Sequence, residues 1–275
     1  IRIQEKAKGV VKVAAEKFES RIQTLPREDF PTLPVGGDGE SVLLPRDVLR
    51  EMVTKTQFAI TGEDTRYFLN GALFLLQADT MKLVATDGHR LALVSTKSDK
   101  IKKGKDQEEL KAILPKKILW ELSRLLAADI KKDGGGAKES KETVQFQCGE
   151  NHLFFNFDGR QLVSRVIEAQ FPSYERVIPK ENDKTVEFER DRLANAIKRV
   201  ALLSSERSRA VKFKITENKI DIISNSPEVG EATETLTVDY TGDPVDICFN
   251  AQYILDFLSV ADTESVELEF KDEMS

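Results

Sequence analysis

His89 stands two residues after Asp87 and beside Arg90, in the stretch Ala85-Thr86-Asp87-Gly88-His89-Arg90-Leu91-Ala92. It is one of only two histidines in 275 residues. A carboxylate at that spacing can orient an imidazole as a general base, the imidazole can ligate a metal, or the turn can rim a binding pocket. A hydrolase built on Asp87 and His89 needs a nucleophile from elsewhere. The chain has no G-x-S-x-G elbow, no G-x-x-x-x-G-K-[ST] loop and no G-x-G-x-x-G turn. Its 47 acidic residues show no spacing that singles out a catalytic pair. The second histidine, His152, reads as an exposed residue starting a strand. With two His and two Cys so scattered, no metal set is expected, and no catalytic residue or cofactor is assigned.

The elements that must hold this turn are legible. Apolar runs from Met81 to Ala85 and from Leu91 to Val94 flank it, which predicts strand, tight turn and strand, with Asp87-Gly88 as the turn pair. Four other segments share a pattern of strand end, break and amphipathic helix. Their breaks fall at Pro45, Pro115, Arg190 and Asn250. Proline suits a first helical turn, where its missing N–H costs nothing. Val48, Leu49, Met52 and Val53 form one apolar face. Ile118, Leu119, Leu122, Leu125 and Leu126 form a second, and Leu193, Ile197, Val200 and Ala201 a third. Short strands follow, among them Tyr67–Leu76, Val144–Cys148, Leu153–Phe157, Val211–Thr216 and Lys219–Ser224. A helix followed by antiparallel strands, used repeatedly, gives an α+β architecture with helices on one face of the sheets. Boundaries are placed near residues 40 and 182, giving segments 1–40, 41–181 and 182–275. The run Lys131–Glu142 reads as a solvated loop.

Hydrophobic residues make up 40% and charged residues 32%, enough apolar content for a real core. No apolar run approaches the ~18 residues of a membrane span. The start at Ile1, without an initiator methionine, and the stop just after a strand-like segment read as the ends of a fragment. Cys148 and Cys248 read as buried free thiols in a reducing cytosol. The net charge of −6 alone argues against nucleic acid, but its distribution argues otherwise. Residues 45–57 carry +1, 115–126 carry +2, 190–199 carry +3 and 250–261 carry −1, so the rest of the chain holds −11. Three basic helices against an acidic background suggest a common surface that binds phosphates without reading bases.

Five motifs in register carry a family resemblance. They are Ala85–Ala92, Thr65-Arg66-Tyr67-Phe68-Leu69-Asn70-Gly71, Phe171-Pro172-Ser173-Tyr174-Glu175-Arg176-Val177-Ile178-Pro179, Phe249-Asn250-Ala251-Gln252-Tyr253-Ile254-Leu255 and Thr24-Leu25-Pro26-Arg27-Glu28-Asp29-Phe30-Pro31. The chain resembles the bacterial DNA polymerase III beta subunit, the replicative sliding clamp.

The resemblance implies a DNA-clamp fold, with helices lining a ring and sheets outside. Segment 1–40 would be the tail of a first domain, 41–181 the whole second and 182–275 a truncated third. Such a ring is a non-catalytic homodimer that encircles double-stranded DNA without sequence preference, in the cytoplasm at the nucleoid. It tethers the replicative polymerase, and captures the clamp loader and repair proteins through a short peptide motif. The implied DNA contacts are Arg66, Tyr67, Lys116, Lys117, Arg124, Lys198, Arg199, Arg207 and Arg209. The implied peptide pocket comprises Leu69, Thr86, Gly88, His89, Arg90, Leu91, Pro172, Arg176, Val177, Asn250, Tyr253 and Met274. Ile22, Leu202 and Leu203 would meet at the subunit interface. The chain departs from the family pattern at Glu63, Phe68 and Ser208. A protein-interaction scaffold that never encircles DNA is the alternative from another class, alongside the hydrolase.

Overall fold

The computed structural model describes residues 1–7, 9–34, 36, 41–62, 64–77, 79–99, 101, 109–127 and 142–272. Met274 and Glu63 lie outside them, as does all of the 131–142 run except Glu142. The chain divides into two compact units, residues 1–38 and 39–275.

The smaller unit is a three-stranded antiparallel sheet of β1 (Arg2–Ala7), β2 (Val10–Ala15) and β3 (Phe18–Gln23), in that order.

The larger unit holds the four expected strand–helix pairs. They are β4 (Ser41–Pro45) with α1 (Arg46–Thr56), β8 (Glu109–Pro115) with α2 (Lys116–Ala127), β12 (Lys184–Glu189) with α3 (Arg190–Ala201), and β16 (Val245–Asn250) with α4 (Ala251–Val260). Between them run β5 (Gly71–Gln77), β6 (Thr80–Thr86), β7 (Leu91–Lys97), β9 (Thr143–Cys148), β10 (His152–Phe157), β11 (Arg160–Arg165), β13 (Ala210–Thr216), β14 (Lys219–Ser226), β15 (Gly230–Thr237) and β17 (Ser265–Phe270). The sheets are ordered β11-β10-β9-β4, β7-β6-β5-β8, β15-β14-β13-β16 and β12-β17, with antiparallel neighbours throughout.

One backbone device recurs in all four pairs. The first N–H of each helix lacks an intrahelical acceptor. Arg46 donates to the Glu142 carbonyl (2.8 Å), Lys116 to Asn70 (2.9 Å), Arg190 to Glu264 (2.9 Å) and Ala251 to Arg209 (2.8 Å). In each case the acceptor sits just before the strand that pairs with the strand leading into that helix. The strand ladder therefore supplies the helix cap. Pro45 itself occupies the cap position in extended conformation (φ −60°, ψ 128°), one residue before the first helical turn where the sequence pattern put it.

Two large cores fill the unit. The first takes Leu49, Met52 and Val53 from α1 and Ile118, Leu119 and Leu122 from α2, against both flanking sheets. Phe146 bridges those sheets, 5.5 Å from Phe74 edge-on and 4.8 Å from Phe155. The second gathers Leu193, Ile197 and Val200 with Phe213, Ile222 and Phe270. Each fully buried aliphatic or aromatic side chain stabilises the fold by about 1.5–3 kcal/mol. The helices pack as α2 on α1, α1 on α4 and α4 on α3, a continuous row across both cores.

Three expectations are corrected. Tyr67–Leu69 forms a 3₁₀ turn, and the strand begins only at Gly71. A Cβ at Gly71 would lie 2.4 Å from the Leu114 carbonyl, so glycine permits the close pairing of β5 with β8. Cys248 is exposed, and Cys148 is only half-buried. Val245 and Ile247 face inward on β16, and strict alternation sends Cys248 outward. His152 does start a strand, but it is half-buried rather than exposed.

Candidate functional site

Strand β5 is buried on both faces, which explains its unbroken apolar run. Ala72, Phe74 and Leu76 enter the main core. Leu73 and Leu75, with Val84 and Ile113, form a second layer on the outer face of the same sheet, covered by Phe171 and Tyr174. Leu91, Ile167 and Phe68 pack against that layer. Phe171 and Tyr174 thus anchor the segment carrying Pro172, Arg176 and Val177 over the outer face of this sheet. The Val177 N–H donates to the Tyr174 carbonyl (3.1 Å) and the Arg176 N–H to Ser173 (3.2 Å). Val177 itself is 68% exposed.

The link between β6 and β7 is the four-residue turn Asp87–Arg90, closed by the Thr86–Leu91 pair. Gly88 takes φ +87° there, a conformation that favours glycine. The Thr86 hydroxyl donates to the Arg90 carbonyl (2.7 Å) and accepts from the Gly88 N–H (3.1 Å). Asp87 Oδ1 accepts from the backbone of His89 (2.9 Å) and Arg90 (3.0 Å), and Oδ2 from Arg90 Nε (3.0 Å). Burial acts to raise the Asp87 pKa, but these donors outweigh it and hold the carboxyl below its ordinary value. Both oxygens are committed to holding the turn, so Asp87 does not orient the exposed His89 imidazole as a base.

Arg90 reaches further than the turn. Its Nη1 donates to Asp256 Oδ2 (2.6 Å) and its Nη2 to the Phe58 carbonyl (2.7 Å). Its guanidinium lies 4.5 Å from the Tyr253 ring centroid and 5.2 Å from that of Phe58. Gln252 Nε2 steadies the other Asp256 oxygen at 2.8 Å. Asn250, the α4 N-cap, accepts from the Gln252 N–H at 2.9 Å. The structure thereby links the turn Thr86–Arg90 to Asn250 and Tyr253 at the start of α4 along one seam, with Leu91 in the adjoining outer layer; Pro172, Arg176 and Val177 are exposed beside Phe171 and Tyr174, which cover that layer. Leu69 is buried beneath this surface, its carbonyl accepting from the Thr61 hydroxyl at 3.0 Å.

The seam is reinforced where α1 meets α4. Lys55 Nζ bonds Glu51 (2.7 Å) and Asp262 (3.0 and 3.1 Å), and these contacts, Glu51 first, raise its pKa.

The nominated cations are on or beside the helices. Arg66 grips Asp64 with Nε and Nη2 (3.1 and 2.8 Å) and brings the Asp64 carboxyl down to about 2. Tyr67 is 58% exposed and edge-on to Phe68. Arg124 bonds Glu121, Arg199 bonds Glu234 and Lys116 donates to the Ile60 carbonyl (3.1 Å). Lys117, Lys198, Arg207 and Arg209 are exposed and form no ion pair among the described residues. Exposed ion pairs are worth only about 0–1 kcal/mol, so the carboxylates hold these cations only loosely. Ser208, one of the departures, is exposed, with its hydroxyl 3.4 Å from the Ala210 N–H. Leu202 is 77% exposed and Leu203 half-buried, and Ile22, in the smaller unit, is 52% exposed.

Sequence reading missed Phe58 and Asp256, whose roles exist only through contacts across more than thirty and more than a hundred and sixty residues of chain. It also missed Trp120, exposed on α2. There the signal was available, since Trp120 lies one helical turn from Lys116, Lys117 and Arg124.

Residues 43–173 match the family described as DNA polymerase III beta subunit, central domain, and residues 175–275 match its C-terminal domain. The chain is 35% identical to the beta sliding clamp of Pseudomonas putida, over 100% of this chain and 70% of that protein. It is 35% identical to the beta sliding clamp of Escherichia coli K12, over 92% of this chain and 65% of that one. The crystal structure of the DNA polymerase III subunit beta from Pseudomonas aeruginosa superposes with a TM-score of 0.87 at 34% identity, covering 99% of this chain and 71% of that chain. The DNA polymerase sliding clamp from Bacillus subtilis gives 0.86 at 26% identity, covering 99% and 68%.

Proposed function

The chain belongs to the DNA polymerase III beta subunit family, and from that membership we propose how its residues serve a DNA sliding clamp. A sliding clamp is a non-catalytic processivity factor in DNA replication. It binds topologically and raises the effective concentration of polymerase at the primer end. In this reading two subunits close around duplex DNA with the helix row inward. Residues 1–40, 41–181 and 182–275 belong to successive clamp domains. The single observation that carries the reading is the helix row α2–α1–α4–α3, which spans both large cores and holds the net positive charge.

Lys116, Lys117, Arg124, Lys198, Arg199, Arg207 and Arg209 neutralise phosphates from that row, while Arg66 and Tyr67 touch DNA from the turn before β5. Non-directional phosphate contacts let the ring slide. The peptide motif of polymerases, the clamp loader and repair proteins docks over the Arg90–Tyr253 seam. Leu91, Pro172 and Val177 serve as apolar walls, and Arg176 and His89 as polar guides. Leu69 forms its floor. Ile22 of one subunit meets Leu202 and Leu203 of the other; the exposure of Ile22 and Leu202 supports that assignment. The ring works in the cytoplasm; no described helix is long and apolar enough to cross a membrane.

Primer extension on a long singly primed template tests the function. With the cognate polymerase and clamp loader, the full protein should lengthen the products made in one binding event. Product lengths unchanged by its addition contradict the proposal.

A further inference from the structure

We propose that the exposed face of α2 is a contact for single-stranded DNA, in which Trp120 stacks on an unpaired base. The proposal rests on the sliding-clamp reading and deepens it by naming a second form of DNA that the same helix row takes. The exposed residues of α2 are Lys116, Lys117, Trp120, Arg124 and Ala127, and every other residue of the helix is buried or half-buried. At 100° per residue the five exposed positions fall within about a third of the helix circumference. Trp120 is 61% exposed and flanked by three cations along the helix, and the acid next to it in the chain, Glu121, is bonded to Arg124.

An indole left in water on a helix surface has apolar area to gain by being covered, and the charge around it selects what covers it. Three cations within a turn of the ring favour a polyanion over an apolar or basic protein surface. A phosphate backbone with accessible base faces satisfies both features at once. Cations follow the strand while the ring stacks on a base, a pairing that works with any sequence. Duplex DNA supplies the phosphates but hides its base faces, so the ring distinguishes the two forms. A clamp placed at a primer end meets both, because unpaired template continues beyond the duplex.

Trp120 is the sole tryptophan of these 275 residues, and in the full protein the emission lost between the parent and Trp120→Phe isolates its signal. That emission should be solvent-exposed and quenched by acrylamide. It should fall on adding a 12-nucleotide oligothymidylate and change little with a blunt duplex of equal length. Trp120→Ala should weaken oligothymidylate binding about tenfold, and Trp120→Phe should recover part of the loss. Thermal unfolding of both variants should match the parent, since the ring packs little. Retention on closed circular duplex should be the same in the parent and in Trp120→Ala, which separates this contact from encirclement. If circular retention is absent in the parent, the clamp reading fails by itself. If retention holds but oligothymidylate neither quenches the indole nor distinguishes Trp120→Ala, the stacking contact is overturned. Emission shielded from acrylamide before DNA is added overturns it as well, because protein then covers the ring.

Discussion

Arg90 Nη1 lies 2.6 Å from Asp256 Oδ2, joining the β6–β7 turn on the first large core to helix α4 on the second. The same guanidinium holds Asp87 and the Phe58 carbonyl and faces the Tyr253 ring. One side chain therefore fixes both the shape of the turn and the distance between two elements that the proposed peptide must span.

Arg90→Ala should destabilise the protein by about 2 kcal/mol, since it strips charge-assisted hydrogen bonds from a half-buried site and leaves Asp256 without its guanidinium partner. Arg90→Lys should recover little, because a single ammonium cannot reproduce the planar fork toward three acceptors. Denaturant unfolding measures this; full stability in Arg90→Lys would contradict the role of the fork.

Gly88→Ala should strain the turn by about 1–2 kcal/mol, the cost of a side chain in the left-handed region. Its new Cβ would lie 2.8 Å from Arg66 Nη1, so Arg66 must also move. A lower melting temperature and weaker binding of a polymerase-derived peptide, by fluorescence anisotropy, are the expected readouts. An unchanged protein by both measures would contradict the turn geometry.

Arg176→Ala and Tyr253→Ala should each weaken that peptide by about 1–2 kcal/mol, five- to thirtyfold, as truncation of a charged or aromatic anchor does. Unchanged affinity in both variants would move the peptide site elsewhere.

Acid should loosen the Asp64–Arg66 and Asp87–Arg90 contacts in a defined window. Both carboxyls sit below their ordinary values, Asp64 at about 2. A lowered folded-state pKa contributes stability that is complete above the unfolded value, about 4, and is lost as pH falls through the folded value. Carboxyl-carbon NMR should therefore give an Asp64 midpoint near 2, with stability falling from about pH 4 downward. A midpoint near 4 would mean that Arg66 does not hold Asp64 in solution.

Leu202→Asp should separate the subunits of the full protein. Leu202 is 77% exposed, so a charge there costs the isolated fold little, within about 0.5 kcal/mol. Light scattering should show the mass of one subunit; a mass of two would remove Leu202 from the interface.

The four strand–helix units were legible because proline or a polar residue breaks each apolar strand just before a 3.6-residue pattern begins. The β6–β7 hairpin was legible because Asp87-Gly88 interrupts two apolar runs. Tyr67–Leu69 was misjudged as strand because Tyr, Phe and Leu continue the apolar run of β5, while their 3₁₀ geometry depends on the Arg66 carbonyl accepting from Leu69. Cys248 was misjudged because the apolar character of a thiol was weighed above the alternation of its strand, which sends that position out. Asp256 and Phe58 left no local trace at all: their partner Arg90 is adjacent only in the folded chain.

Encirclement is tested most directly by retention of the full, loaded protein on circular duplex before and after a single cut linearises it. The account predicts stable retention on the circle at a salt concentration that abolishes simple phosphate binding, and rapid loss through the free ends once the circle is opened. Equal retention on circular and linear DNA would contradict a ring and return the helix row to an ordinary electrostatic surface.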